Sequence, residues 1–262
     1  MGSTVTTLDG KFWSKSEIIE KMREDEFYYG YLGVNALSSS SCTYLLDSPL
    51  KYQRSLSGVS QYSDAFSLGS LVHYRILEPE KFYNMNFINV KSKRTKMYQE
   101  AVAEYGPSKT FTLTEKYNAE DLSDVFMNNS ICTSMLHNAK YEEPMMGEID
   151  GIPFRGKADA LSKSGLLDLK TTSGGIRSFR KSAFKYNYDM QCYIYCTLFD
   201  VSYKEFTWAV IDKSSKGLGI FKCSKDFYES GKAKTKSAIN IFRDYFVDKK
   251  KAPEEFYLLD VL

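Results

Sequence analysis

From the N-terminus to about residue 140 the apolar positions recur at helical spacing; from Tyr141 to Thr171 they alternate with polar ones. Ser14 and Glu17 have the spacing of a capping box and predict a helix from there to about Tyr31. The run Ser38–Ser41 offers an N-cap to a short helix that Pro49 stops. Ser63 to Phe82 reads as a further helix, with Leu68, Val72 and Ile76 on one stripe and Pro79 ending it. Asn84–Val90 suggests a strand, Lys91–Lys96 a basic loop, and Thr95–His137 two or three helices. Between Tyr141 and Thr171 the pattern predicts three short strands, turning at Asp150-Gly151 and near Lys163-Ser164. A helix over Arg177–Phe199, strands over Glu205–Asp212 and Gly217–Cys223, a long helix over Asp226–Lys250 and a tail, first polar and then apolar, complete the chain. That order predicts an α/β core with a helical N-terminal wrap.

The 262 residues suit one large domain, or one domain with a helical extension. At that length roughly 70% or more of the unfolded surface can be buried without cross-links. The net charge of +2 is too mild to argue for nucleic acid by itself, so any basic surface must be local. Cys42, Cys132, Cys192, Cys196 and Cys223 form no CxxC pair and read as reduced, mostly buried thiols. With neither a signal-peptide core nor an apolar run long enough to span a membrane, the chain reads as a soluble cytoplasmic protein.

Hairpin arithmetic brings acids together. In an antiparallel pair the partner indices have a constant sum. A turn at Lys163-Ser164 sets Asp159 opposite Asp168, with Cβ atoms about 5 Å apart on one face, and Lys170 points to that face too. A turn at Asp150-Gly151 likewise sets Glu142 opposite Asp159, with Glu143 pointing away unless a bulge shifts the register. Opposed like charges destabilise a sheet. A divalent cation such as Mg²⁺, a hard ion taking carboxylates and waters, would compensate them. The plainer reading is a solvated face with Lys170 paired to Asp168. Against it, the apolar setting of "LLDLK" suggests a central strand.

The Asp159…Asp168-Leu169-Lys170 pattern resembles the PD-(D/E)xK nuclease superfamily, and more closely its phage recombination exonucleases of lambda-exonuclease and RecE type. "LGSLVH" (Leu68 to His73) is similar to that family's G-x-x-x-H helix, "DLKTT" to its RecE-like branch, and "QCYIY" (Gln191 to Tyr195) to its Q-x-x-x-Y helix. "ALSSSSCTYLLDSPLKY" resembles the segment preceding the nuclease core, and "YEEPMM" an E-x-P strand, which favours Glu142 over Glu143. The acid Asp159 follows Ala158 where the motif's name has proline, and the C-terminal cysteine cluster of the iron–sulfur relatives is absent. The resemblance spans roughly Asn35 to Tyr195.

What it implies is an α/β, restriction-endonuclease-like core with a central mixed sheet flanked by helices. Residues 1–34 would be a helical N-terminal extension, 35–250 the nuclease domain and 251–262 a C-terminal tail. Asp159, Asp168, the Leu169 carbonyl, His73 and Glu142 would hold two Mg²⁺ ions, with Mn²⁺ able to substitute. Lys170 would position or deprotonate the attacking water, and Gln191 would orient either. A single helical histidine is ordinarily structural, and His73 gains its role from the resemblance; His137 has no such support. Ser40 stands where a helix start could hold a DNA 5′ end, though a serine run is also simply a good cap. Arg177, Arg180 and Lys181, with Lys185, could track a DNA backbone, as could Lys91, Lys93, Arg94 and Lys96, but charge runs are often only solvated; Tyr195 shares a face with Gln191 near the DNA. The implied activity is digestion of linear double-stranded DNA, 5′ to 3′, in phage-type recombination or repair. A homo-oligomeric ring and a single-strand annealing recombinase are the implied partners. An endonuclease on the same core, or an inactive DNA-binding domain, are the alternatives.

Overall fold

The computed structural model describes residues 4–57 and 64–257. The N-terminal stretch opens with a ribbon that the pattern did not predict: β1 (Thr4–Thr6) runs antiparallel to β2 (Phe12–Ser14). Ser14 then caps α1 (Lys15–Lys21) by accepting from the Glu17 amide. The helix expected to reach Tyr31 stops here; a π-helical segment Glu26–Tyr31 and α2 (Leu32–Asn35) follow. Tertiary packing sets this course. Phe27 meets Trp13 edge-on at 5.5 Å and stacks on Tyr31 at 5.0 Å, while Tyr28, Ile18, Met22 and Leu32 bury against Met146.

Ser38 caps α3 (Ser39–Asp47) and Ser48 caps α4 (Pro49–Ser55). Pro49 therefore ends one helix and opens the next, where its missing N–H is no loss. Pro79 does the same between α5 (Asp64–Leu77) and α6 (Pro79–Tyr83). Ser63, the expected start of that helix, and the apolar tail end at 258–262 lie outside the described residues. β3 (Asn86–Ile88) is the expected strand, but it pairs in parallel with β4 (Thr110–Thr112), inside a stretch expected to be wholly helical. Around β4 lie α7 (Lys96–Tyr105), α8 (Leu113–Met127) and α9 (Ser130–Leu136).

The alternating stretch folds as β5 (Lys140–Ile149), β6 (Ile152–Ser162) and β7 (Gly165–Thr172), with both turns where the pattern put them. Asp150 and Gly151, at φ 49° and 71°, adopt the left-handed pair of a tight hairpin. The helix expected over Arg177–Phe199 is divided into α10 (Phe179–Lys185) and α11 (Tyr188–Phe199), with Asn187 left-handed between them. β8 (Phe206–Asp212), β9 (Leu218–Lys222) and α12 (Lys225–Phe242) follow, and α12 passes into a π-helical segment, Arg243–Val247, short of Lys250.

The five long strands form one mixed sheet in the order β5-β6-β7-β8-β9, with only the central β7–β8 pair parallel. One face packs Leu167, Leu169, Ala209 and Ile211 against Leu71 and Val72 of α5 and Phe126 of α8. The other packs Leu166, Trp208 and Val210 against Phe179, Cys192 and Cys196. This is the mixed sheet flanked by helices that the sequence implied. All five cysteines are free and buried. No helix among the described residues is long and apolar enough to cross a membrane.

Candidate metal centre

A break in the sheet's alternation builds the site. Side chains two apart in a regular strand share a face. Ala158 and Ala160 of β6 do not: Ala158 buries with Cys192 and Trp208, and Ala160 buries on the opposite face with Leu71 and Leu169. The faces exchange at Asp159, opposite Glu142. The register is intact on both sides, with Glu143 paired to Ala158 and Tyr141 to Ala160, so no residue is inserted. Instead Glu142 takes φ +46° in mid-strand. Left-handed backbone in a non-glycine residue costs on the order of 1–2 kcal/mol and gathers at functional sites.

The same twist splits β6 from β7. Their ladder follows the expected sum from Ser162–Gly165 to Ala160–Leu167 and is not continued at Asp159–Asp168. Beyond the split, the Leu169 amide donates to Asp159 Oδ2 at 2.7 Å in place of a ladder bond. A residue's N–H and C=O point to the same side of a strand, so the Leu169 carbonyl also faces this gap, on the side from which His73 enters it.

His73 descends from α5 into the gap, its Nδ1 3.6 Å from Asp159 Oδ2. One ligand atom each from His73, Glu142 and Asp159 lie within 4.8 Å of one another. Asp168 stands beside this trio and not in a flat row with it, which corrects the picture of three acids on one face. Its Oδ1 accepts from Lys170 Nζ at 2.9 Å and from Gln191 Nε2 at 2.8 Å. Its Oδ2, also buried, lies 2.8 Å from Lys170 Nζ, so the ammonium faces both carboxylate oxygens. Glu143 turns away to Arg23 at 3.3 Å and Lys140 at 3.8 Å, leaving Glu142 in the cluster.

Burial, more than like charge, sets the electrostatics of the cluster. Burial, then Asp159 and Glu78, push the Glu142 carboxyl up to about 8. Burial raises Asp159 as well, against the pull of Lys170 and the Leu169 amide. Asp168 rises to about 6, chiefly by burial, with Lys170 opposing. Burial alone would lower the Lys170 ammonium, but Asp168 and Asp159 overcome it and hold the group above its usual value. His73 is driven down to about 4 by burial and then by Lys170, so its imidazole is neutral and free to ligate. Clustered carboxylates beside a backbone carbonyl suit a hard divalent cation, and the neutral imidazole adds a nitrogen donor that softer divalent ions favour.

The other expected site residues lie further out. Ser40 is exposed in the first turn of α3, and Arg177, Arg180 and Lys181 are exposed around the start of α10. Among the described residues no hydrogen bond or ion pair joins these four to the cluster. Of the other basic run, Lys93 pairs with Glu115 at 2.8 Å. Tyr195, expected towards DNA, packs its ring on Gly156, one helical turn beyond the Gln191 that holds Asp168. Sequence reasoning missed Tyr188, whose ring lies 5.0 Å from Lys170 Nζ, and a charged cleft beside Glu142 lined by Asp25, Glu78, Lys81 and Lys157. Lys157 had a signal, standing two residues before Asp159 in β6.

Residues 38–253 match the model of a family described as a PDDEXK-like domain of unknown function, DUF3799. Among solved structures, a "Putative exonuclease" from Eubacterium rectale shares 12% identity, covering 91% of this chain and 95% of its own, with a TM-score of 0.62. A second, described as SSO0001, shares 16% identity over 69% of this chain and 96% of its own; its TM-score of 0.30 is too low to bear on the fold. No curated protein matches the chain. With most of its length matched, and the sheet, the acid pair and the lysine in place, the chain belongs to the DUF3799 family of PDDEXK-like domains.

Proposed function

We propose that the protein is a divalent-metal-dependent exodeoxyribonuclease that digests linear double-stranded DNA from its ends, 5′ to 3′, in phage-type recombination or repair. The observation that carries this reading is the meeting of His73, Glu142 and Asp159 within 4.8 Å, beside buried Asp168 and Lys170, in a chain of PDDEXK-like fold. His73, Glu142, Asp159 and Asp168, with the Leu169 carbonyl, would hold Mg²⁺, two ions in the full site, and Mn²⁺ would substitute. When bound, such ions supply charge to the scissile phosphate and acidity to a water. Asp159 keeps the β6–β7 gap open by taking the Leu169 amide. Gln191 fixes Asp168. Because its acids hold Lys170 protonated, its part is to orient the water and stabilise charge growing on phosphorus, ahead of acting as a free base. Ser40 and the basic residues Arg177, Arg180 and Lys181 would hold the duplex backbone. The ring and the annealing partner belong to the same proposal.

The test uses duplexes labelled at the 5′ or the 3′ end and a closed circle, each with Mg²⁺ or with EDTA. The proposal expects early release of the 5′ label, dependence on Mg²⁺ and an intact circle. Loss of the circle would make the protein an endonuclease, and no cutting of any substrate with Mg²⁺ or Mn²⁺ would leave a DNA-binding domain.

A further inference from the structure

Beside Glu142 the structure holds a cleft that the chemistry above does not use. Two ammonium groups from separate elements enter it, Lys81 from α6 and Lys157 from β6. Both reach one carboxylate. Asp25, just ahead of the π-helical segment, sets Oδ2 3.4 Å from Lys81 Nζ and Oδ1 3.4 Å from Lys157 Nζ. Each lysine thus takes a different oxygen of a single anion, a geometry that two non-bridging oxygens of a phosphate can reproduce. The lysines are also held independently of Asp25. Lys81 lies over the Tyr74 ring at 4.6 Å and 3.6 Å from Glu78, and Lys157 lies over the Tyr28 ring at 4.6 Å with its side chain only 11% exposed.

Asp25 itself is loosely engaged. Its side chain is 56% exposed, and both contacts sit at the long end of an ion pair, a class that contributes little and is screened by salt. It also lies ahead of residues 38–253, outside the family match, so the carboxylate is supplied by this chain's own N-terminal segment.

We propose that Lys81 and Lys157 form a seat for a DNA backbone phosphate next to the one being cut, and that Asp25 occupies this seat as a phosphate mimic until DNA displaces it. The inference rests on the nuclease reading and deepens it. Glu78 and Glu142 also border the cleft and repel an anion; a cation held by Glu142 would reduce that repulsion, so DNA and metal favour each other here. A carboxylate that merely clamped the N-terminal segment to the core would act in the opposite sense when removed, lowering stability and gaining nothing in affinity.

The experiment measures the affinity of a fluorescein-labelled DNA duplex by anisotropy across a salt series, with Ca²⁺ and again with EDTA, for wild type, Asp25→Asn, Lys81→Gln, Lys157→Gln, the double lysine variant and the triple variant, with melting curves for each. The seat predicts that Asp25→Asn binds several-fold more tightly while melting as wild type does. It predicts that each lysine variant binds several-fold more weakly and lowers the slope of log K against log salt by about one. It also predicts that Asp25→Asn has no effect once both lysines are gone. Unchanged or weaker binding by Asp25→Asn, or wild-type affinity and slope in both lysine variants, overturns it. A wild-type protein that cuts DNA with Mg²⁺ while the lysine variants bind normally rejects the seat alone; a wild-type protein that neither binds nor cuts DNA rejects the nuclease reading and the seat with it.

Discussion

Two side chains carry opposite burdens at the centre. Lys170 is kept charged by Asp168 and Asp159, and Lys170→Ala is expected to cut cleavage by at least about 10²-fold while sparing duplex binding measured in Ca²⁺; cleavage at the wild-type rate would refute its role. Glu142 sits in left-handed backbone among acids, with its carboxyl raised from 4.5 to about 8. A raised folded-state pKa means that the stability it contributes is full below pH 4.5 and lost as pH climbs towards 8. His73, lowered from 6.5 to about 4, works in the other direction, losing stability as pH falls through that window. Between pH 6.5 and 8 the effect of His73 fades and that of Glu142 dominates, so the metal-free Tm should fall with rising pH, and Mg²⁺ should abolish the fall, because binding needs the deprotonated acid. Scanning fluorimetry that gave a flat profile without metal would contradict this. Glu142→Gly removes both strain and charge: it should raise metal-free stability by about 1 kcal/mol and lose the Mg²⁺ response. At this scale the acids were legible, because turn residues and index sums are local quantities. The twist at Asp159 was not, since no residue type announces that Glu142 adopts φ +46°.

The elements that aim these side chains depend on close approaches. α11, which carries Gln191, crosses α12 at Gly231, where an added Cβ would lie 2.0 Å from the Asp189 carbonyl oxygen. Beneath it, fully buried Asp189 accepts from Ser230 at 2.7 Å and pairs with Lys234 at 2.9 Å. Gly231→Ala must push the helices apart. We expect a loss of about 3 kcal/mol, read as a lower urea midpoint, with cleavage reduced through the displaced Gln191. Gly231 carried no local sign of this, since a glycine inside a helical pattern does not name the backbone it must meet. The three central strands were readable from alternation and turn chemistry. The break at Asn187 and the parallel pair β3–β4 were not, because short segments take their conformation from what they pack against.

Across the whole molecule, the N-terminal segment packs against β5 and borders the cleft beside Glu142. Tyr28 and Met22 bury against Met146 of β5, and Asp25 spans 132 residues of sequence to reach Lys157. Contacts at that separation leave no periodic trace, so the first 34 residues could be read as a helical extension but not as the wall of a cleft. Where resemblance bridged the gap, as at His73, the distant residue was anticipated. At the centre of the proposed function, the sheet's twist at Asp159 holds a divalent ion. Anomalous scattering from a crystal soaked in Mn²⁺ tests this most directly. The expected result is a manganese peak within coordination distance of His73, Glu142 and Asp159, next to Asp168. A fully occupied soak with no peak in that gap, or with manganese only elsewhere, would contradict it.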